Sequence, residues 1–300
     1  MATRRPRPVH QMTEGQFEAM FPDEDACKTY LVKRRWPKGI ICPRCGAVKV
    51  FPVGSMPFKW QCYQCAPDQG YRFSHIAGTI FENTNKPLRQ WFKVVHLMTT
   101  SKKGISSLQI QRQMGFGSYE TALNMTHKIR AAMIEPATKL GGIVEVDETY
   151  VGGKDMWRHW DKKSGGTGGL ASGKTPVIGA VQRKGNVIAR VLTNVTAKAA
   201  SDFVREVVSD KVSLLATDDW SGYERLKKEY PHGVVDHSKH QYVVGAIHTN
   251  TIEGFWSIFK RGVVGTFYKV SAKYMPLYVA SFSSKMSAPK PICPFPSGGR

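Results

Sequence analysis

The chain has 300 residues, 41% of them hydrophobic and 22% charged, and its 43 Lys/Arg against 23 Asp/Glu give a formal net charge of +20. Such a composition can fill a substantial core and argues against a disordered chain; no apolar run reaches the roughly 18 residues of a membrane span, and MATRRPRPVHQM lacks the apolar stretch of a signal peptide. The positive excess runs through both halves, which suits a long polyanion such as nucleic acid better than a small acidic ligand, and four of six cysteines in C-x2-C pairs suggest a reducing, cytoplasmic setting.

Residues 1–40 read as a basic, proline-bearing arm followed by a helical segment over roughly 13–36. Thr13 is placed to cap it, with Phe17, Met20 and Phe21 at helical spacing.

Residues 41–80 hold Cys42-Pro-Arg-Cys45-Gly and Cys62-Tyr-Gln-Cys65, a C-x2-C-x16-C-x2-C spacing. Two residues between thiolates let both sulfurs reach one ion, and Gly46 relieves the first knuckle. Four thiolates close a tetrahedron with no open position, so the spacing predicts a structural Zn2+ ribbon rather than a catalytic metal. A redox dithiol is the competing reading, and two paired knuckles disfavour it.

Residues 81–140 read as three helices. Pro87 suits a first helical turn, Ser106 and Gln109 have capping-box spacing, and Gly115 and Gly117 stop the second helix. A third helix from Ser118 turns Ala122, Met125, Ile129 and Met133 inward and shows Tyr119, Asn124, His127, Lys128 and Arg130 on its other face. A polar-faced helix behind a short glycine turn can enter a DNA major groove; a solvated linker bundle gives the same pattern.

Residues 141–278 alternate β-like and helical patterns. GGIVEVDETYVGG reads as a strand with Glu145 and Asp147 on one face. PVIGAVQRKG and NVIARVLTN follow as strands, then a helix over roughly 197–210, the strand SLLATDD, a helical region, the β-rich run HQYVVGAIHT and a last helix. That order predicts an α/β, ribonuclease H-like domain with a mixed sheet flanked by helices. Asp147 lies on its first strand, Asp218 ends the fourth, and Glu253 lies on the last helix, with 34 residues between it and Asp218. Asp219 adjoins Asp218 but would point the other way.

Three acids from distant segments suit two divalent cations, Mg2+ or Mn2+, as in phosphoryl displacement. In the last helix Ile252, Phe255, Trp256, Phe259 and Val263 form an apolar stripe, and seven residues at about 100° each bring Lys260 almost over Glu253. Lys260, with Arg261 beside it, is then placed to touch a DNA phosphate. Asn250 is the other candidate near the third acidic position. KKSGGTGGLASGK, 162–174, reads as a surface loop.

The stretches CPRCG, CYQC, AGTIF, PLRQWF, VEVDETYVGGK, TDDWSGY and HTNTIEGFWSIFKRGVVGTFYKVSAKYMPLY, over roughly residues 20–278, resemble bacterial insertion-sequence DDE transposases with an N-terminal zinc ribbon, the ISXO-two-like group. The resemblance implies transesterification at an element's terminal inverted repeats and in target DNA, with Asp147, Asp218 and Glu253 as metal ligands and Lys260 as their basic partner. Some members are described with an asparagine in the third position, which keeps Asn250 in play. Synapsis of two double-stranded ends implies a DNA-bound homo-oligomer associated with the nucleoid. A catalytically impaired, transposase-derived DNA-binding protein and a ribonuclease H-like nuclease are the alternatives. The impaired reading comes from the end of the chain. Relatives continue with an acidic, aromatic helix, whereas VASFSSKMSAPKPICPFPSGGR, 279–300, reads as an atypical, disordered tail from a frameshift.

Overall fold

The computed structural model describes residues 12–134, 138–152, 174–218, 220–235 and 248–287. Two compact units divide them, one holding 12–101 and 107–132, the other 102–106 and 133–287. The loop predicted over 162–174 (up to residue 173), most of HQYVVGAIHT and residues beyond 287 lie outside the described set.

In the first unit the single helix expected over 13–36 is two: α1, Glu14–Met20, and α2, Glu24–Arg35. Pro22 accounts for the break, because proline disfavours helical geometry at the residue before it. Thr13 caps α1 through a capping box with Gln16, and Asp23 caps α2 by accepting from Ala26 N at 2.8 Å. Three strands, β1 (Phe51–Pro52), β2 (Lys59–Cys62) and β3 (Tyr71–Ser74), form a small antiparallel sheet. Its core is Trp36, Cys42, Ala47, Cys62, Phe73 and Ala77, too few residues for independent stability.

Helix α3, Leu88–Thr100, has no side-chain cap of its own. Glu24 supplies one, accepting from Leu88 N at 2.8 Å and Arg89 N at 3.0 Å. Phe21, Tyr30 and Phe92 pack edge to face beneath this junction, and Phe17 meets Phe21 at a tilt. Helices α4, Ser107–Met114, and α5, Tyr119–Ala132, follow around a turn in which Gly115 takes φ +64°. Ile110, Ala122, Met125 and Ile129 are buried, and the Ser107 and Thr126 hydroxyls meet at 2.8 Å inside the pair.

The second unit is a five-stranded sheet of β4 (Ile143–Val151), β5 (Thr175–Gln182), β6 (Val187–Val191), β7 (Leu214–Asp218) and β8 (His232–Val235), in the order β6-β5-β4-β7-β8. The first three strands run antiparallel, and β7 and β8 then add in parallel with β4. This is a ribonuclease H-like α/β arrangement. The fifth strand corrects the sequence reading: it comes from HGVV, which was assigned to a helical region, and a 3-10 helix, Ser221–Lys228, precedes it.

Alternation along β4 and β5 separates two cores. Val144, Val146, Ile178 and Ala180 face α6 (Ala197–Val207) and Tyr223 of the 3-10 helix. Val151, Val177 and Val181 face α7 (Asn250–Gly262) and α8 (Met275–Met286). Helix α8 corrects the tail assignment, because residues 279–286 are helical. Met275, Tyr278, Val279 and Phe282 are buried at i, i+3, i+4 and i+7, and the Phe282 ring packs where a Cβ on Gly262 would meet it at 2.4 Å. Ser281 interrupts that period, and Ser283 and Ser284 follow it. Among the described residues no helix is long and apolar enough to cross a membrane.

Candidate active site

The cysteine cluster forms as the spacing predicts. Sγ atoms of Cys42, Cys45, Cys62 and Cys65 all lie within 4.8 Å of one another, with Cys45–Cys62 at 3.6 Å and Cys42–Cys65 at 3.9 Å. Zinc–thiolate bonds of about 2.3 Å in a tetrahedron put sulfurs about 3.8 Å apart, so the four fit structural Zn2+. Cys27 stands apart, buried, with its thiol pushed up to about 12 first by burial.

The acids gather on the second unit. The β4/β7 pairing sets Glu145 beside Ala216, and the same register two residues on leads from Asp147, midway along β4, to Asp218 at the end of the parallel β7. Asp147 Oδ1 accepts from Glu148 N at 2.8 Å and Oδ2 from the Trp256 indole N–H at 3.0 Å. Its carboxyl is pushed up to about 6, by burial first and then by Asp218, with a smaller push from Glu253. The three predicted acids are thus within electrostatic reach, though not as tightly packed as the thiolates.

Glu253 and Lys260 are both exposed on one flank of α7, and Ile252, Phe255, Trp256, Phe259 and Val263 are buried, as the helical arithmetic requires. Glu253 Oε1 accepts from the Thr249 hydroxyl at 2.9 Å. Asn250 is the exposed first residue of α7, and the exposed Arg261 donates back to Ser257 O at 3.0 Å.

Sequence reasoning missed three partnerships. Glu148, on the opposite face of β4, accepts from Tyr223 Oη at 2.7 Å, and its carboxyl is pushed up to about 7 by burial and then by Asp218 and Asp147. Glu145 turns inward to α7 and Arg183. Trp256 reaches Asp147 because Gly179, opposite Asp147 in the β4/β5 register, leaves room for the indole. A glycine inside an otherwise β-rich strand was the one legible sign of that close approach.

Asp147 and Glu148 have no lysine, arginine or histidine partner among the described residues. Clustered carboxylates that repel one another into higher pKa values fit hard divalent cations, which would relieve that repulsion.

Gly179→Ala tests the packing. Its Cβ would stand 2.8 Å from Trp256 Cζ2, and the buried indole has little room to yield. We expect a loss of about 1–3 kcal/mol in thermal denaturation and weaker cleavage as Asp147 loses its orienting donor; wild-type stability and activity together would refute this account.

On α5, Tyr119, Asn124 and Lys128 are exposed and His127 is half-buried. Arg130 is not on that surface: it is 1% exposed. It lies four residues after the buried Thr126 and three before the buried Met133, so it falls on the inner face. Its assignment as a DNA contact is withdrawn.

A family model described as the ISXO2-like transposase domain matches residues 139–285, and one described as the transposase zinc-ribbon domain matches 22–67. An uncharacterized protein in transposable element ISH50 of Halobacterium salinarum is 30% identical over 254 residues, 80% of this chain and 83% of that protein. Among solved structures, a chain of the simian T-cell lymphotropic virus intasome in complex with PP2A regulatory subunit B56 gamma overlaps 64% of each chain at 14% identity and a TM-score of 0.29, too loose to bear on the fold.

Proposed function

Because the chain belongs to the ISXO2-like transposase family, we propose that it cleaves and joins DNA strands at the ends of an insertion sequence. The observation that carries this reading is the approach of Asp147, midway along β4, to Asp218 at the end of the adjacent parallel β7, with Glu253 in electrostatic reach on α7. Asp147, Asp218 and Glu253 are the residues that would hold two Mg2+ or Mn2+ ions. The chemistry such ions supply is activation of the attacking oxygen and stabilisation of the leaving one. Trp256 keeps Asp147 oriented, and Lys260 on the Glu253 flank draws in the DNA phosphate. Water displaces a 3′ hydroxyl from the phosphodiester at the element end, and that hydroxyl then attacks a phosphodiester in target DNA, forming a new P–O bond as the target strand's own 3′ oxygen leaves and takes up a proton.

The third acidic position goes to Glu253 rather than Asn250, because of the two only a carboxylate brings negative charge to a hard divalent cation, and Glu253 lies within electrostatic reach of Asp147. The zinc ribbon and α5 bind double-stranded DNA, and synapsis of two ends assembles a homo-oligomer. Burial of Met275, Tyr278, Val279, Ser281, Phe282 and Ser283 in α8 favours an intact enzyme over an impaired descendant.

Incubation with Mg2+ and DNA carrying the element's terminal repeats tests this. Joined strands support transposition; cut ends without joining would indicate a nuclease, and shifted but uncut DNA a non-catalytic binder. In that assay Glu253→Gln should lose the joined product and Asn250→Ala should keep it; the reverse would give the third position to Asn250.

On the DNA-binding side, Lys128→Ala should leave the melting temperature unchanged and lower the slope of log affinity against log salt by about 1. Arg130→Ala should instead destabilise the fold by about 1–3 kcal/mol, seen as a lower melting temperature. An Arg130→Ala protein of wild-type stability with weakened DNA binding would restore Arg130 to the DNA surface.

A further inference from the structure

We propose that Glu145 is a positioning residue for the carboxylate site: it holds the first turn of α7 against β4 and so fixes Glu253 relative to Asp147. In the sequence it has the same standing as Asp147, an acid two residues away on the same strand face. The structure gives it different work. Its side chain is fully buried, and each oxygen accepts two hydrogen bonds. Oε2 accepts from the backbone N–H groups of Thr251 at 2.8 Å and Ile252 at 3.0 Å. Oε1 accepts from the Thr251 hydroxyl at 2.8 Å and from Arg183 Nε at 2.6 Å.

These bonds answer a specific need. The first N–H groups of any helix lack intrahelical acceptors, and Thr249 at the N-cap of α7 supplies no side-chain bond to them. A carboxylate there also meets the positive end of the helix dipole. Arg183 compensates the buried charge and donates to His248 O at 3.0 Å, tying the end of β5 to the segment that enters α7. Glu253 follows one residue after Ile252, and its own partner is Thr249. One turn further along, Trp256 reaches Asp147. Two residues on one face of β4 therefore anchor the helix that carries the third acid.

The proposal rests on the cation-binding reading of Asp147, Asp218 and Glu253. Mn2+ affinity of the full-length, zinc-loaded protein, measured by calorimetry and by the Mn2+ electron paramagnetic resonance signal well below the melting temperature, tests it. In Glu145→Gln an amide donor faces other donors at the head of α7. The expected result is Mn2+ affinity about 10–100-fold weaker, with zinc content and circular dichroism unchanged. Thr251→Val removes only a hydroxyl donor from an exposed turn and serves if Glu145→Gln does not fold; it should weaken Mn2+ by up to about tenfold.

A folded Glu145→Gln protein that melts lower yet binds Mn2+ as the wild type does would reduce Glu145 to a structural residue, and Thr251→Val with wild-type Mn2+ affinity would do the same. Asp147→Asn, titrated alongside, separates the two levels. If it too binds Mn2+ normally, the cation reading itself fails; if it alone loses binding, only the role of Glu145 does.

Discussion

Asp147→Asn is expected to abolish strand cleavage while making the cation-free protein more stable. The Asp147 carboxyl is raised from 3.8 to about 6, first by burial and then by the neighbouring Asp218. At 1.36 kcal/mol per unit, that shift amounts to about 3 kcal/mol of strain in the ionised form. Asparagine keeps an oxygen for the Trp256 indole and carries no charge, so it removes most of that cost. A gain of about 2–3 kcal/mol corresponds to roughly 5 °C or more in melting temperature.

The gain should depend on pH. The folded state holds the Asp147 proton more tightly than the unfolded one, so the wild type's deficit is absent below the unfolded value, near 3.8, and grows as pH rises through about 6. Wild type and variant should therefore melt together near pH 3.5 and diverge at pH 7. Losing one preorganised group at developing charge costs roughly 10^2–10^3-fold, and loss of a cation should cost at least that. An Asp147→Asn protein that still cleaves, or that is less stable at pH 7, would remove Asp147 from the site.

Cys62→Ser is expected to unfold the ribbon while leaving the sheet-bearing unit folded. Cys62 is fully buried, at the end of β2 and beside Phe73 in the ribbon core. That core holds only six buried residues, two of them the ligands Cys42 and Cys62, while zinc binding contributes on the order of 10 kcal/mol or more to such modules. Trp36 and Trp60 meet edge to face with ring centroids 5.4 Å apart, so their fluorescence should report the loss. Arg35 donates to His75 O at 2.9 Å and Ala77 O at 2.5 Å, so the end of α2 should loosen with it. Hydrogen exchange should rise over residues 36–77 and stay protected in β4 and β5. A zinc-free Cys62→Ser ribbon with wild-type protection would show that the apolar residues suffice.

The ribbon was legible because its ligands sit in two local pairs, and spacing within a pair survives any tertiary arrangement. The α7 stripe was legible for a similar reason, since five large apolar residues at helical period leave one face for Glu253 and Lys260. Residues 275–282 carry a comparable period, but Ser281 within it and the Ser- and Pro-rich run after it make the period less distinct than that of α7. On α5, polarity alone points Arg130 to the solvent face, whereas helical geometry puts it inside with Thr126 and Met133.

Glu145, Asp147 and Glu148 mark the limit. From the sequence, three acids in four residues of one strand differ only in which face they take. Their partners come from far along the chain: Thr251 for Glu145, 106 residues away, Trp256 for Asp147, 109 away, and Tyr223 for Glu148, 75 away. The sequence by itself determined the four-cysteine cluster, the elements that carry the three principal acids and the side of α7 that bears Glu253, because spacing and periodicity are local properties of the chain. Only the tertiary structure decided that Glu145 anchors a helix, that Trp256 orients Asp147 across Gly179, and that Arg130 lies inside. Those outcomes depend on strand register and helix docking, which long-range packing sets.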